Sequence, residues 1–399
     1  MAASSKIRPF KEAKVRLREM NTPSKTFEKW KMFCSKCSRI QKVRKTWRCE
    51  CGNPLTLIID TKGIHLDPPE LKQRPFSLWR YYELLPITLD RGVSLGESIT
   101  PIIQLKLTGM SCFVKLEFLF PTGSFKDRGS SIMISAAKLM GVKSAVEDSS
   151  GNAGASVAAY CAKAGISCKV IVPSYASGSK LLQIRAYGAE VIVKESRRDA
   201  ALFAMQEAEK GAFYASHVWN PFFLEGTKTF AFEIWEQIGF KEPDAIVLPV
   251  GHGTLLLGTY KGFSELKELD LIDNLPRLYG IQAKGCSPLV DRLHGVEESE
   301  GCSKLAEGIM ISDPPRLNEM IGSIQETGGE ALAVGDSEIR ENWKKLAEKG
   351  LFVEPTSATS LAGLEKLIGE GLIDKDELVI VPLTGSGLKT PQKISGLVS

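Results

Sequence analysis

The sequence predicts an α/β protein with parallel sheets in two domains, preceded by a small cysteine-bearing segment. Three observations predict it. From Cys112 onward, short Val- and Ile-rich strands alternate with helical stretches, the rhythm of parallel sheets covered by helices on both faces. A chain of 399 residues is long for a single core. Four of the nine cysteines fall in two close pairs before residue 52, apart from the rest.

Apolar runs bounded by turn residues place strands at 55–59, 113–118, 145–147, 168–172, 190–193, 245–250, 278–282 and 378–381. Helical periodicity places helices at 126–140, 153–163, 180–187, 200–210, 224–238, 255–268, 336–349 and 358–368. The first twenty-odd residues mix Lys, Arg and Glu with few apolar positions and read as a mobile arm or exposed helix, and the proline-rich stretch 67–75 reads as a linker. The expected division is an arm and cysteine ribbon over 1–60, a large domain over 61–135 plus 215–399, and a small α/β domain over 136–214.

Hydrophobic residues make up 43% and charged residues 25% of the chain, as in ordinary globular proteins. A net charge of +4 gives no warrant for nucleic acid or a membrane surface as partner. No apolar run reaches the roughly 18 residues of a membrane span, and residues 1–20 lack the apolar stretch of a secretory signal. The expected compartment is the cytoplasm, with Cys112, Cys161, Cys168, Cys286 and Cys302 reduced.

Open α/β sheets bind ligands beyond the carboxyl ends of their strands, so the loops after strands should carry the chemistry. Pro121-Thr122-Gly123-Ser124-Phe125-Lys126-Asp127-Arg128-Gly129 joins a strand to a helix. Read locally, Ser124 caps the helix and Lys126 faces solvent. Held in a dry pocket instead, Lys126 would lose proton affinity and become nucleophilic. Ser149-Ser150-Gly151-Asn152-Ala153-Gly154 is a second such junction, where helix N-terminal amides could take a carboxylate. In Pro249-Val250-Gly251-His252-Gly253-Thr254, small residues let amides approach a phosphate, although a lone Gly-x-Gly is equally a tight turn. The last strand ends in the glycine-rich turn around Thr384.

In this order, these strings resemble the fold-type II pyridoxal-phosphate enzymes, and most closely the threonine synthases, over about residues 79–389. The resemblance implies the tryptophan-synthase-β-like two-domain fold, with pyridoxal 5'-phosphate carried by Lys126 as a Schiff base beside Phe125. It implies that Asn152 meets the cofactor 3'-oxygen, that Gly251, His252, Gly253 and Thr254 hold its phosphate, and that Thr384 meets the pyridine nitrogen. A hydroxyl at that nitrogen makes the ring a mild electron sink, suited to elimination and replacement. Ser149, Ser150 and Gly151 would hold the carboxylate of a small-molecule amino-acid substrate, and the freed Lys126 amine would act as base at the α-carbon. A homodimer is expected.

Several positions depart from the family pattern. Ala153 stands where a threonine is usual, and His252 and Leu255 interrupt a loop that tends to be rich in Asn. In Asn220-Pro221-Phe222-Phe223-Leu224-Glu225-Gly226, Phe223 occupies the place of an arginine, and His217 and Val218 stand where polar phosphate partners are expected. Losing a guanidinium from a phosphate site is not conservative. Turnover of O-phosphohomoserine is therefore expected to be poor unless Lys180, Arg185 or Lys228 supplies the charge. Glu354, before Pro355, reads as a helix-start turn. The leading reading is a threonine synthase. A dehydratase-like ammonia-lyase or β-replacement enzyme is the alternative, and a cofactor-binding protein without turnover is the reading of another class.

Cys34 and Cys37 are followed by Cys49 and Cys51, the pattern of a small zinc ribbon with one residue fewer in its second pair. A structural zinc is expected there, the alternative being a ribbon of free thiols. Four thiolates leave no open position for catalysis.

Overall fold

The computed structural model describes residues 27–107, 110–176, 178–295, 303 and 305–398. The expected N-terminal arm and Cys302 lie outside the described residues. The chain opens with an antiparallel sheet of β1 (Trp30–Phe33), β2 (Ile40–Lys42) and β3 (Thr56–Ile59), in the order β2-β1-β3. Every residue of β1 and β3 is buried. Trp30, Met32, Leu55 and Leu57 join the same core as Trp79, Ile132 and Phe222, so this ribbon is packed into the body of the protein. The expected linker contains a short helix, Pro68–Leu71.

Next come β4 (Ile102–Leu107) and β5 (Met110–Lys115), an antiparallel pair. A four-stranded parallel sheet follows: β6 (Ser144–Glu147), β7 (Ser167–Pro173), β8 (Glu190–Lys194) and β9 (Phe213–Tyr214), in the order β8-β7-β6-β9. The chain then returns to the sheet of β4 and β5 through β10 (Ala245–Pro249), β11 (Arg277–Ala283), β12 (Ala331–Val334) and β13 (Val379–Pro382). That sheet runs β12-β11-β10-β13-β5-β4 and is parallel except at β4. All five residues of β10 are buried, as an unbroken apolar run at the centre of a parallel sheet requires.

The fold-type II architecture expected from the sequence is the one observed. The segment read as one helix over 224–238 is two, Pro221–Thr227 and Thr229–Gln237. The first begins earlier because Asn220 accepts a bond from the Phe222 amide and Pro221 fills the first helical position.

Two features aim the loops. β5, β6, β10 and β13 all end toward one region, and helices Lys126–Leu139, Asn152–Ala164, Thr254–Glu268 and Pro355–Gly369 begin there. Beneath the first of these helices lies a fully buried ion cluster. Arg128 bonds Glu117 at 2.7 Å and Glu233 at 2.6 Å, and Lys115 reaches Glu233 at 2.9 Å. Thr100 adds a hydroxyl bond to Glu117 at 2.7 Å. The cluster ties β5 and helix Thr229–Gln237 to the turn that presents Lys126.

Candidate active site

The converging loops enclose a cavity of about 820 Å³. All eleven cofactor- and substrate-site residues singled out in the sequence line it: Phe125, Lys126, Ser149, Ser150, Gly151, Asn152, Gly251, His252, Gly253, Thr254 and Thr384. The Lys126 amine lies 4.6 Å from the Phe125 ring centroid and donates to Thr254 Oγ1 at 3.3 Å. Burial lowers its pKa to about 7, with the Glu147 carboxyl acting in the opposite sense. Asp127 staples the loop by accepting from the Thr122 amide, the Thr122 hydroxyl and Ser156 at 2.6–2.7 Å.

Backbone approach sets the other loops. A Cβ on Gly154 would lie 1.8 Å from the Ser149 carbonyl oxygen, so only glycine lets the Ser149–Asn152 turn fold onto its own helix. Gly253 sits at φ +75° and directs the amides that follow it toward the cavity from the N-terminus of helix Thr254–Glu268. Thr384 Oγ1 is 3.2 Å from Ser357 Oγ, a pair of hydroxyls at the end of β13.

Local reading missed two pairings. Glu354 does start a helix, as expected, but it is also a pocket residue, 2% exposed. It accepts from Asn152 Nδ2 at 2.9 Å and pairs with Lys180 at 2.8 Å. His217 is a second addition: its Nδ1 lies 3.0 Å from Glu147 Oε1, and its ring meets His252 edge-on at 5.2 Å. Burial holds His217 well below the ordinary imidazole range and Glu147 well above that of a carboxyl. Burial, with the Lys126 and Arg197 charges, likewise drives His252 down to about 3. The one sequence signal for Glu147 is a carboxyl closing the apolar run of β6.

The structure separates the three cations proposed to replace the missing arginine. Lys180 lines the cavity. Arg185 is exposed and does not line it. Lys228 is buried elsewhere, between Glu225 at 2.7 Å and Glu265 at 2.8 Å. Phe223 itself is fully buried and does not line the cavity. Its ring packs so closely on Gly129 that a Cβ there would lie 2.5 Å away, and its centroid is 5.7 Å from the Lys126 amine. Phe223 is thus part of the floor under Lys126, and an arginine in its place would bury a charge in the core.

Residues 93–385 match the family described as pyridoxal-phosphate dependent enzyme. The threonine synthase of Methanocaldococcus jannaschii is 39% identical over 374 residues, spanning 90% of this chain and 92% of the relative. The chain belongs to the pyridoxal-phosphate-dependent lyases of the threonine synthase family. The threonine synthase of Mycobacterium tuberculosis is 37% identical over 336 residues, with 81% and 92% covered. Among solved structures, threonine deaminase isoform 2 of Solanum lycopersicum superposes with a TM-score of 0.66 at 21% identity, covering 84% of this chain and 90% of that one. Serine racemase of Dictyostelium discoideum does so at 0.60 and 26%, with 72% and 92% covered. These neighbours share the fold.

The cavity fits the cofactor that the family uses. Asn152 Oδ1 and His252 Nδ1 are buried without a hydrogen-bond partner among the described residues, as expected of groups kept for a polar ligand. Beside them stand the amides at the start of helix Thr254–Glu268, suited to a phosphate dianion, and an amine of lowered proton affinity.

The four clustered cysteines lie together at the edge of the ribbon, all Sγ atoms within 4.8 Å of one another. Cys34 and Cys51 are 3.5 Å apart and Cys37 and Cys49 3.6 Å apart. A tetrahedron with Zn–S bonds of about 2.3 Å has edges of about 3.8 Å, whereas a disulfide brings sulfurs to about 2.05 Å. The spacing suits a four-thiolate zinc. No helix among the described residues is long and apolar enough to cross a membrane.

Proposed function

We propose that the protein is a threonine synthase that converts O-phosphohomoserine and water to threonine and phosphate. The observation that carries this reading is Lys180, a cation in the cavity wall beside the Ser149–Asn152 turn, where the sequence alone leaves the substrate phosphate without a partner. Pyridoxal phosphate supplies the electron sink that makes the substrate's α- and β-protons removable. Lys126 carries the cofactor at rest. Its freed amine, neutral above about pH 7, takes the α-proton and returns protons along the substrate's carbon chain as the γ-carbon loses phosphate and the β-carbon gains hydroxide from water. Asn152, held by its bond to Glu354, would meet the cofactor 3'-oxygen. The turn from Ser149 to Gly151 would hold the carboxylate, Gly251 to Thr254 the cofactor phosphate, and Thr384 the pyridine nitrogen.

Steady-state assay of phosphate and threonine formation from O-phosphohomoserine, beside serine, threonine and phosphoserine, tests the proposal. Efficient release of phosphate with threonine as product supports it. Ammonia release from serine or threonine, without phosphate release, would replace it with the ammonia-lyase reading. Lys180→Ala should raise the KM for O-phosphohomoserine by about tenfold or more, the loss of a charge partner for a buried phosphate.

Cys34, Cys37, Cys49 and Cys51 are proposed to hold one structural zinc, supported by their spacing and donor set. From the resemblance alone, a homodimer in the cytoplasm is proposed, and sedimentation at the mass of two chains checks the assembly.

A further inference from the structure

We propose that the cysteine ribbon is a brace for the substrate cavity, and that Arg316 and Trp47 are the positioning residues through which it sets one wall. The inference rests on this cavity being where substrate is turned over. The wall is the loop around Val218 and Trp219 together with the segment 307–315, both of which line the cavity.

Arg316 follows that segment and is 1% exposed. Its Nε donates to the Val218 carbonyl at 2.7 Å. One terminal nitrogen donates to the Leu55 carbonyl at 2.7 Å, and the other to Thr56 Oγ1 at 3.1 Å and Glu319 Oε2 at 2.8 Å. A single rigid guanidinium therefore joins the wall loop to the last strand of the ribbon. Because its donors are fixed in one plane, it sets the spacing between them as a flexible ammonium could not. Glu319 carries the link to the cysteine turn: its Oε1 accepts from Ser35, between Cys34 and Cys37, at 3.1 Å, and Ser35 accepts from Asn53 at 3.1 Å. Trp47, from the ribbon's other turn, packs edge-on against Trp219 at 5.3 Å and Tyr214 at 5.0 Å.

Neither Arg316 nor Trp47 lines the cavity, yet each touches a residue that does. Lys126, Asn152 and Thr384 stand on other elements. Loosening the brace should therefore disturb substrate binding while the cofactor stays in place.

The test uses Trp47→Ala and Arg316→Lys as holoenzymes, with Arg39→Ala as control, since the half-exposed Arg39 side chain pairs with the exposed Glu50 on the ribbon surface. A wall displaced by about 1 Å should raise the KM for O-phosphohomoserine about tenfold or more, with kcat within about threefold. Cofactor content and its absorbance band should match wild type, and so should every property of Arg39→Ala. Wild-type KM in folded Trp47→Ala overturns the proposal, whether or not Arg316→Lys folds. A parallel fall of KM performance, kcat and cofactor content also overturns it, because that pattern means general loosening. If the wild-type enzyme does not turn over O-phosphohomoserine, the reading of the substrate fails separately. The brace is then read from the amino acid that wild type does bind, as the concentration that half-shifts the cofactor band.

Discussion

A lysine amine buried among aromatic rings and bonded to a hydroxyl does not hold its proton at the usual lysine value. Lys126 is in that position, with a pKa lowered to about 7. The sign follows from the charge type: burial disfavours the ammonium, so the free amine dominates above about pH 7. The rate at which apoprotein recombines with pyridoxal phosphate should rise as pH passes about 7 and then level off. A half-rise near 10 would show that burial leaves this amine unperturbed. The meeting of Lys126, Asn152 and Thr384 in one cavity was legible in the sequence because each lies in a loop that follows a strand of an α/β sheet and resembles a family motif. Glu354, Glu147 and His217 were not. Their roles depend on partners 70 to 202 residues away, and nothing local distinguishes Glu354 from a carboxyl at an ordinary helix start. Phe223 shows the opposite error: its place beside family motifs suggested substrate contact, while its burial makes it a support for Lys126.

At the scale of elements, the lysine turn owes its position to the cluster of Arg128, Glu117, Glu233 and Lys115. Burial alone would raise the Glu233 pKa, but Arg128 and Lys115 outweigh it and bring it down to about 2. A carboxyl lowered in the folded state contributes stability that is present above its ordinary value of 4.5 and is lost as pH falls toward about 2. Arg128→Ala leaves the buried Glu117 without an ion pair and Glu233 with Lys115 alone, and should cost about 3–5 kcal/mol in urea unfolding. A loss below about 1 kcal/mol would mean that the cluster is relaxed or hydrated. Strands with strong apolar runs, Val170–Val172 within β7 and the whole of β10, were legible in the sequence. β9, with two residues, and β12, an Ala-rich edge strand, carry too short a pattern to read. β4 pairs antiparallel at the other edge and buries only Leu105 of its six residues, so it lacks the signature of the parallel strands beside it.

For the whole molecule, the ribbon appeared in the sequence as an appendage with a cysteine pattern. The structure makes it part of the main core, with Lys261 donating to the Leu57 carbonyl at 2.6 Å and Lys228 lying 4.8 Å from the Trp30 ring centroid. No local pattern could show this, because the partners lie some 200 residues downstream. Protein purified without chelator should hold about one zinc per chain, and Cys34→Ser with Cys37→Ser should remove it. Unchanged zinc in that double variant would put the metal elsewhere. The same long-range logic governs the active site, where loops from two sheets meet around one amine. The most direct test of the account is therefore to reduce the holoenzyme with borohydride, digest it and locate the pyridoxyl group by mass spectrometry. The account predicts a single labelled lysine, Lys126, and no label in Lys126→Ala; a label on any other lysine would contradict it.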